Sequence, residues 1–152
     1  MPNYISKLLH KLCRPTPPKL QHSPCQHISI KFGQKQQLVN IEPELPRLSN
    51  DHIKYIQSVV GVLLFYAWAD DSTLLAALLT LAWKQTKATA TIMAEIDHIL
   101  DYVATYPDAC VMYKYSDMQL VCHSDASYLS VSNARSRAGG HFFLSLPPDY
   151  TK

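Results

Sequence analysis

HSDASYLSVSNARSRAGGHFFL, residues 123–144, is the stretch on which the fold turns. Asp125 stands at the end of an alternating apolar run. Small and turn-forming residues follow, then Gly139 and Gly140, then a second apolar run. Two readings compete for Asp125: a metal-binding catalytic carboxylate, or the polar stop at the end of a strand. Immediately upstream, ACVMYKY, SDM and QLVCHSD read as strand, tight turn and strand. ASYLSVSNARSRA then reads as a loop of turn residues, and GGHFFLSL as a third strand. With side chains alternating along a strand, Leu120 and Cys122 share one face, and Val121, His123 and Asp125 share the other. Two or three strands with nothing to cover their second face do not complete a domain. The pattern therefore predicts a chain truncated at its C-terminus.

Before these strands the apolar residues change period. Ile5, Leu8, Leu9 and Leu12 recur at helical spacing and make one face of a short helix, which Arg14 and the PTPP run bring to a stop. Six prolines between residues 14 and 50 make a linker or an irregular extended segment, with one short strand at HISIKF. Asn50 or Asp51 is placed to cap a second helix whose stripe is Ile53, Ile56, Val60, Leu63 and Leu64, widened by Phe65 to Trp68. Asp71 or Ser72 is placed to cap a third, TLLAALLTLAWKQ, apolar on most sides and so expected at the centre. A fourth runs from about Thr89 to Tyr106, burying Ile92, Met93, Ile96, Ile99, Leu100 and Val103, and Pro107 ends it. The last three, with short links, suggest a small antiparallel bundle.

At 152 residues, 47% hydrophobic and 17% charged, the chain is globular and not disordered. The net charge of +2 excludes a polycation. Its distribution is uneven: Lys7, Lys11, Arg14, Lys19, Lys31 and Lys35 lie in residues 1–41, which hold no acid. A basic arm ahead of a mildly acidic body is compatible with a phosphate backbone as partner, although on charge alone a solvated, flexible arm is the simpler reading. The start MPNYISKLLHKL lacks the continuous apolar stretch of a signal peptide. VVGVLLFYAWA is too short to span a bilayer, which takes about 20 residues, and Asp70 and Asp71 interrupt before the next apolar run; no membrane partner is expected. Cys13, Cys25, Cys110 and Cys122 form no CxxC pair, and an intracellular, reduced protein is the simpler reading.

Four constellations carry possible chemistry. Asp125 is well placed for a strand-end metal ligand, but a two-metal site needs several converging carboxylates, and only Asp149 follows it. His10, Cys13, His22, Cys25 and His27 have paired spacing of the kind zinc uses, set against a helix end and stiffening prolines. His123 and Ser124 are adjacent and so point to opposite faces of a strand, which excludes a ready Ser–His pair. Arg135 and Arg137, in the loop facing Asp125, suit a phosphate near a metal, or a solvated loop tip. Neither a G-x-S-x-G elbow nor a glycine-rich phosphate loop occurs.

Taken in order, these segments resemble the C-terminal part of the polyprotein of copia-type retrotransposons. YISKLLHKL looks like the last helix of the polymerase region. QSVVGVLLFYA is similar to the family's Gly-x-Leu-Leu-x-Tyr helix through Gly61, Leu63, Leu64 and Tyr66. LDYVATYPDACVMY resembles the helix leading into the first strand. HSDASYL and SRAGGHFFLS resemble the Ser-Asp-Ala start of ribonuclease H and its Ser-x-x-Gly second strand, Ser136 to Gly139. The chain departs from the family after Tyr66, where many members have Arg-Pro-Asp and this one has Trp68-Ala69-Asp70-Asp71.

The resemblance implies an α+β fold in three parts. Residues 1–50 form a basic, proline-rich arm with one short helix, residues 51–107 a helical connection, and residues 108–152 the first antiparallel strands of an incomplete ribonuclease-H-like fold. It implies that Asp125 is a catalytic position and Mg²⁺ ligand in the intact parent, with little prospect of a stable ion here. The implied partners are an RNA–DNA hybrid or other nucleic acid and the remainder of the polyprotein. A non-catalytic nucleic-acid-binding or scaffold remnant is the competing reading.

Overall fold

A computed structural model of the protein describes residues 1–26, 45–131 and 135–146. Among these, four α-helices precede a two-stranded antiparallel sheet, so the chain is of mixed α+β class. The described residues fall into two compact units, a helical one of 1–26 and 45–111 and a strand-bearing one of 112–131 and 135–146. The strand expected at HISIKF, and PPDYTK, lie outside the described residues.

In the helical unit, α1 (Tyr4–Lys11) turns Ile5 and Leu8 inward, and Leu9 and Leu12 pack partly against the same core. Tyr4 lies flat on Tyr66, ring centres 5.7 Å apart, which ties α1 to α2 (Asn50–Ala69). The N-cap of α2 is Ser49, one residue earlier than the sequence suggests, and its hydroxyl meets His52 Nδ1 at 2.7 Å. α2 buries Ile56, Val59, Val60, Leu63, Tyr66 and Ala67. Phe65 and Trp68 do not widen this stripe: they are 60% and 76% exposed. The reason is angular, since Phe65 follows Leu63 and Trp68 follows Tyr66 by two residues, and two residues on an α-helix lead to the opposite side.

Asp71 ends the link after α2 as a buried cap. Its Oδ1 accepts from the Thr73 amide at 3.1 Å and the Thr73 hydroxyl at 2.6 Å, starting a 3-10 turn, Ser72–Leu74, that leads into α3 (Leu75–Lys84). Leu74, Ala77, Leu78 and Leu81 are buried, whereas Leu79 and Trp83 are 54% and 44% exposed. α3 is therefore not central. Its neighbours among the described helices are α2 and α4 (Ala90–Thr105), and two partners leave part of an all-round apolar helix facing outward. α4 buries Ile92, Ile96, Ile99, Leu100 and Val103, with Met93 partly buried. Each fully buried aliphatic side chain stabilises by about 1.5–3 kcal/mol.

Residues 14–25 run as an irregular strap along α4. Arg14 reaches Asp97 Oδ1 at 2.5 Å and Asp101 Oδ1 at 2.9 Å, and also donates to the Asp97 carbonyl. Burial works against its charge, but the hydrogen bonds to Asp101 and Asp97 prevail and hold its pKa above the ordinary value. Farther along, the Gln21 amide donates to Thr105 Oγ1 at 3.1 Å, and His98 Nε2 donates to the Ser23 carbonyl at 2.9 Å. No helix among the described residues is long and apolar enough to cross a membrane.

The strand-bearing unit corrects the sequence reading twice. The segment ACVMYKY forms no strand; it has β-favouring residues but no partner strand among the described residues, and pairing is what makes a strand. Conversely, most of the expected loop is strand: β1 spans Gln119–Val131 and β2 spans Arg135–Ser145. Their register pairs Gln119 with Ser145 and continues regularly to Ser127 with Arg137. It then slips, so that residues 128–130 of β1 stand against Ser136 alone before Val131 pairs with Arg135. Such an irregularity re-aims a strand without ending it.

Candidate functional site

The register sorts the hairpin into two chemically distinct faces, because directly opposed residues share a face. One carries Leu120, Cys122, Ser124 and Ala126 opposite Leu144, Phe142, Gly140 and Ala138. It is apolar and exposed: Leu120 is 72% and Phe142 64% accessible. A Cβ on Gly140 would come within 3.0 Å of the Phe142 ring, so the missing side chain is what lets that ring lie over the strand. The other face carries Val121, His123, Asp125 and Ser127 opposite Phe143, His141, Gly139 and Arg137. This polar face holds Asp125.

Asp125 is exposed, lies within β1 and not at its end, and directly opposes Gly139. A Cβ on Gly139 would meet nothing within 4 Å, so the space beside the carboxylate is open. A shallow concavity of about 470 Å³ covers this spot, lined by His123, Asp125, Ser127, Arg137, Gly139 and His141 among others. Asp125 Oδ1 accepts from the neighbouring Ala126 amide at 2.8 Å. Arg137 belongs to β2 and not to a loop tip; it stands one rung along from Asp125 on the same face, opposite Ser127. The Arg135 side chain lies outside the description. His123 and Ser124 fall on opposite faces, as alternation requires, and make no nucleophile–base pair.

The sequence reading did not anticipate the aromatic cluster beside Asp125. His141 stacks on Phe143 with ring centres 4.8 Å apart, and His123 meets the same ring edge-on at 5.2 Å. Tyr113 places its hydroxyl 3.5 Å from His141 Nε2. The signal that could have found it is the pairing register, which sets His123 opposite His141.

These residues do not fit a two-metal centre. Two catalytic metals about 3.5–4 Å apart need several carboxylates, and among the described residues Asp125 is the sole acid lining the concavity. Among the described residues no group of three or more His, Cys, Asp or Glu converges as metal ligands would. That holds also for His10, Cys13, His22 and Cys25; His22 instead bonds the Tyr106 hydroxyl through Nδ1, and His27 lies outside the described residues. The four cysteines are free and exposed.

No protein-family model matches this chain, and neither a curated protein nor a solved structure matches it at a significant level. The class defined by the fold is a mixed α+β protein with a helical unit and a two-faced β-hairpin.

Proposed function

We propose that the chain is a segment of a copia-type retrotransposon polyprotein, running from the end of the reverse transcriptase through the connection into the opening strands of ribonuclease H, and that it has no nuclease activity by itself. The observation that carries this reading is the two-faced hairpin. Asp125 lies on the polar face of an antiparallel pair whose reverse face is apolar. The opening strands of a nuclease sheet need that division, with a ligand carboxylate on one side and a hydrophobic core on the other. The ordered motifs, from Gly61-x-Leu63-Leu64-x-Tyr66 to Ser124-Asp125-Ala126 and Ser136 to Gly139, support the same reading. In the intact parent Asp125 would be one Mg²⁺ ligand. By itself it cannot hold two ions, so metal-assisted phosphodiester hydrolysis is not open to the described residues alone.

The test is incubation of the full chain with an RNA–DNA hybrid and Mg²⁺. The expected result is no cleavage beyond that of Asp125→Asn. Cleavage by the native chain that vanishes in Asp125→Asn would overturn the proposal of inactivity.

A second reading, a non-catalytic nucleic-acid-binding remnant, is favoured by the exposure of Lys7, Lys11 and Lys19. Arg14 does not belong to that basic surface, being committed to Asp97 and Asp101. Three phosphate contacts would weaken duplex binding about 40-fold between 50 and 200 mM salt. Salt-insensitive or absent binding would rule this reading out.

A further inference from the structure

We propose that His123 and His141 form a cross-strand chelate for a divalent transition-metal ion of the zinc, copper and nickel group, and that the bound ion staples β1 to β2. The inference is independent of the retrotransposon reading, since it concerns imidazole nitrogens and not the Asp125 carboxylate.

The first support is the register. His123 and His141 are direct partners, so their Cβ atoms stand about 4.5–5.5 Å apart on one face. Imidazole arms from such a pair span the two roughly 2.0–2.1 Å bonds that zinc makes to nitrogen. The second support is orientation. Both rings contact Phe143, at 5.2 and 4.8 Å between centres, so both lean to the same end of the ladder. Both side chains are exposed, and exposed side chains change rotamer within nanoseconds. The third is availability. Among the described residues, the one polar contact of either ring is His141 Nε2 with the Tyr113 hydroxyl, at 3.5 Å the limit of a hydrogen bond.

Imidazole suits zinc, copper and nickel, whereas magnesium prefers oxygen ligands. No third His, Cys, Asp or Glu joins the pair among the described residues, so water completes the coordination sphere and affinity is modest. Arg137 lies two rungs away and opposes a cation, with Asp125 between it and the histidines as a counter-charge. The consequence is mechanical. A two-stranded hairpin is marginal in water, and an ion bound only when the strands are paired stabilises the pairing by mass action.

The test is competition for Zn²⁺ or Cu²⁺ between the full chain and a chromogenic chelator. The chain holds five further histidines as background. His123→Ala and His141→Ala should each weaken the tightest site at least about tenfold, and the double variant should lose little more, because a chelate fails when either arm is removed. His52→Ala should bind as the native chain does, and millimolar Mg²⁺ should not compete. Native affinity in either single variant, or two small losses that multiply, would overturn the proposal. Electron paramagnetic resonance of the native chain with one equivalent of Cu²⁺ tests it without any variant. Two coordinated imidazole nitrogens are expected, and a single one would refute the chelate.

Discussion

Replacing Tyr66 with phenylalanine should weaken the helical unit at neutral pH and strengthen it in alkali. Tyr66 is 2% exposed, and its hydroxyl donates to the Ala109 carbonyl at 2.5 Å, joining α2 to the chain beyond α4. Removing that hydrogen bond costs about 1 kcal/mol. Burial, and then the negative charges of Asp71 and Asp70, push the Tyr66 phenol up to about 12. An unfolded tyrosine titrates near 10. Between these values the folded chain keeps a proton that the unfolded chain has lost. The contribution is therefore complete below about pH 10 and is lost as pH rises toward 12. The loss reaches about 1.4 kcal/mol near pH 11, where it exceeds the cost of the missing hydrogen bond. The stabilities of native and Tyr66→Phe proteins should thus cross between about pH 10.5 and 11. Urea unfolding followed by helical circular dichroism from neutral pH to pH 11.5 gives the difference directly; other tyrosines and lysines titrate in both proteins and cancel. A difference that stays constant across this range would refute the assigned environment of Tyr66.

Adjacent residues of α3 make a second test. Leu78 is fully buried and Leu79 is 54% exposed, so Leu78→Ala should cost about 2–5 kcal/mol and Leu79→Ala less than about 1 kcal/mol in thermal or urea unfolding. Arg14→Ala should cost about 1–2 kcal/mol, since the ion pairs are only partly buried. Arg14→Lys should recover little of it, because an ammonium cannot bridge Asp97 and Asp101 as the guanidinium fork does. Proteolysis of the strap at residues 14–25 should quicken in both Arg14 variants, and an unchanged rate would show that Arg14 does not hold it.

The helices were legible because Ile92, Ile96, Ile99, Leu100 and Val103 repeat at the helical period whatever they pack against. Exposure was less legible, because it depends on how many partners a helix has. Phe65, Trp68, Leu79 and Trp83 are apolar by composition and yet face outward. Strand extent was misread for a related reason. Residues 126–131 and 135–138 have turn-like composition, and a ribbon with both faces exposed imposes no apolar alternation on them. Asp125 was legible as a polar-face residue from simple alternation. Arg137 was placed facing it, though in a loop and not in a strand; Gly139 and His141 were not legible as its neighbours, since they follow from the pairing register of β1 with β2.

The central claim, that these residues belong to the polymerase–ribonuclease H junction of a copia-type element, is tested most directly by reading the nucleotide sequence on either side of this coding region. The account predicts the paired aspartates of a polymerase upstream and, downstream, a Glu-bearing helix with further Asp residues, in frame or after a frameshift. Flanking sequence that encodes neither would contradict it.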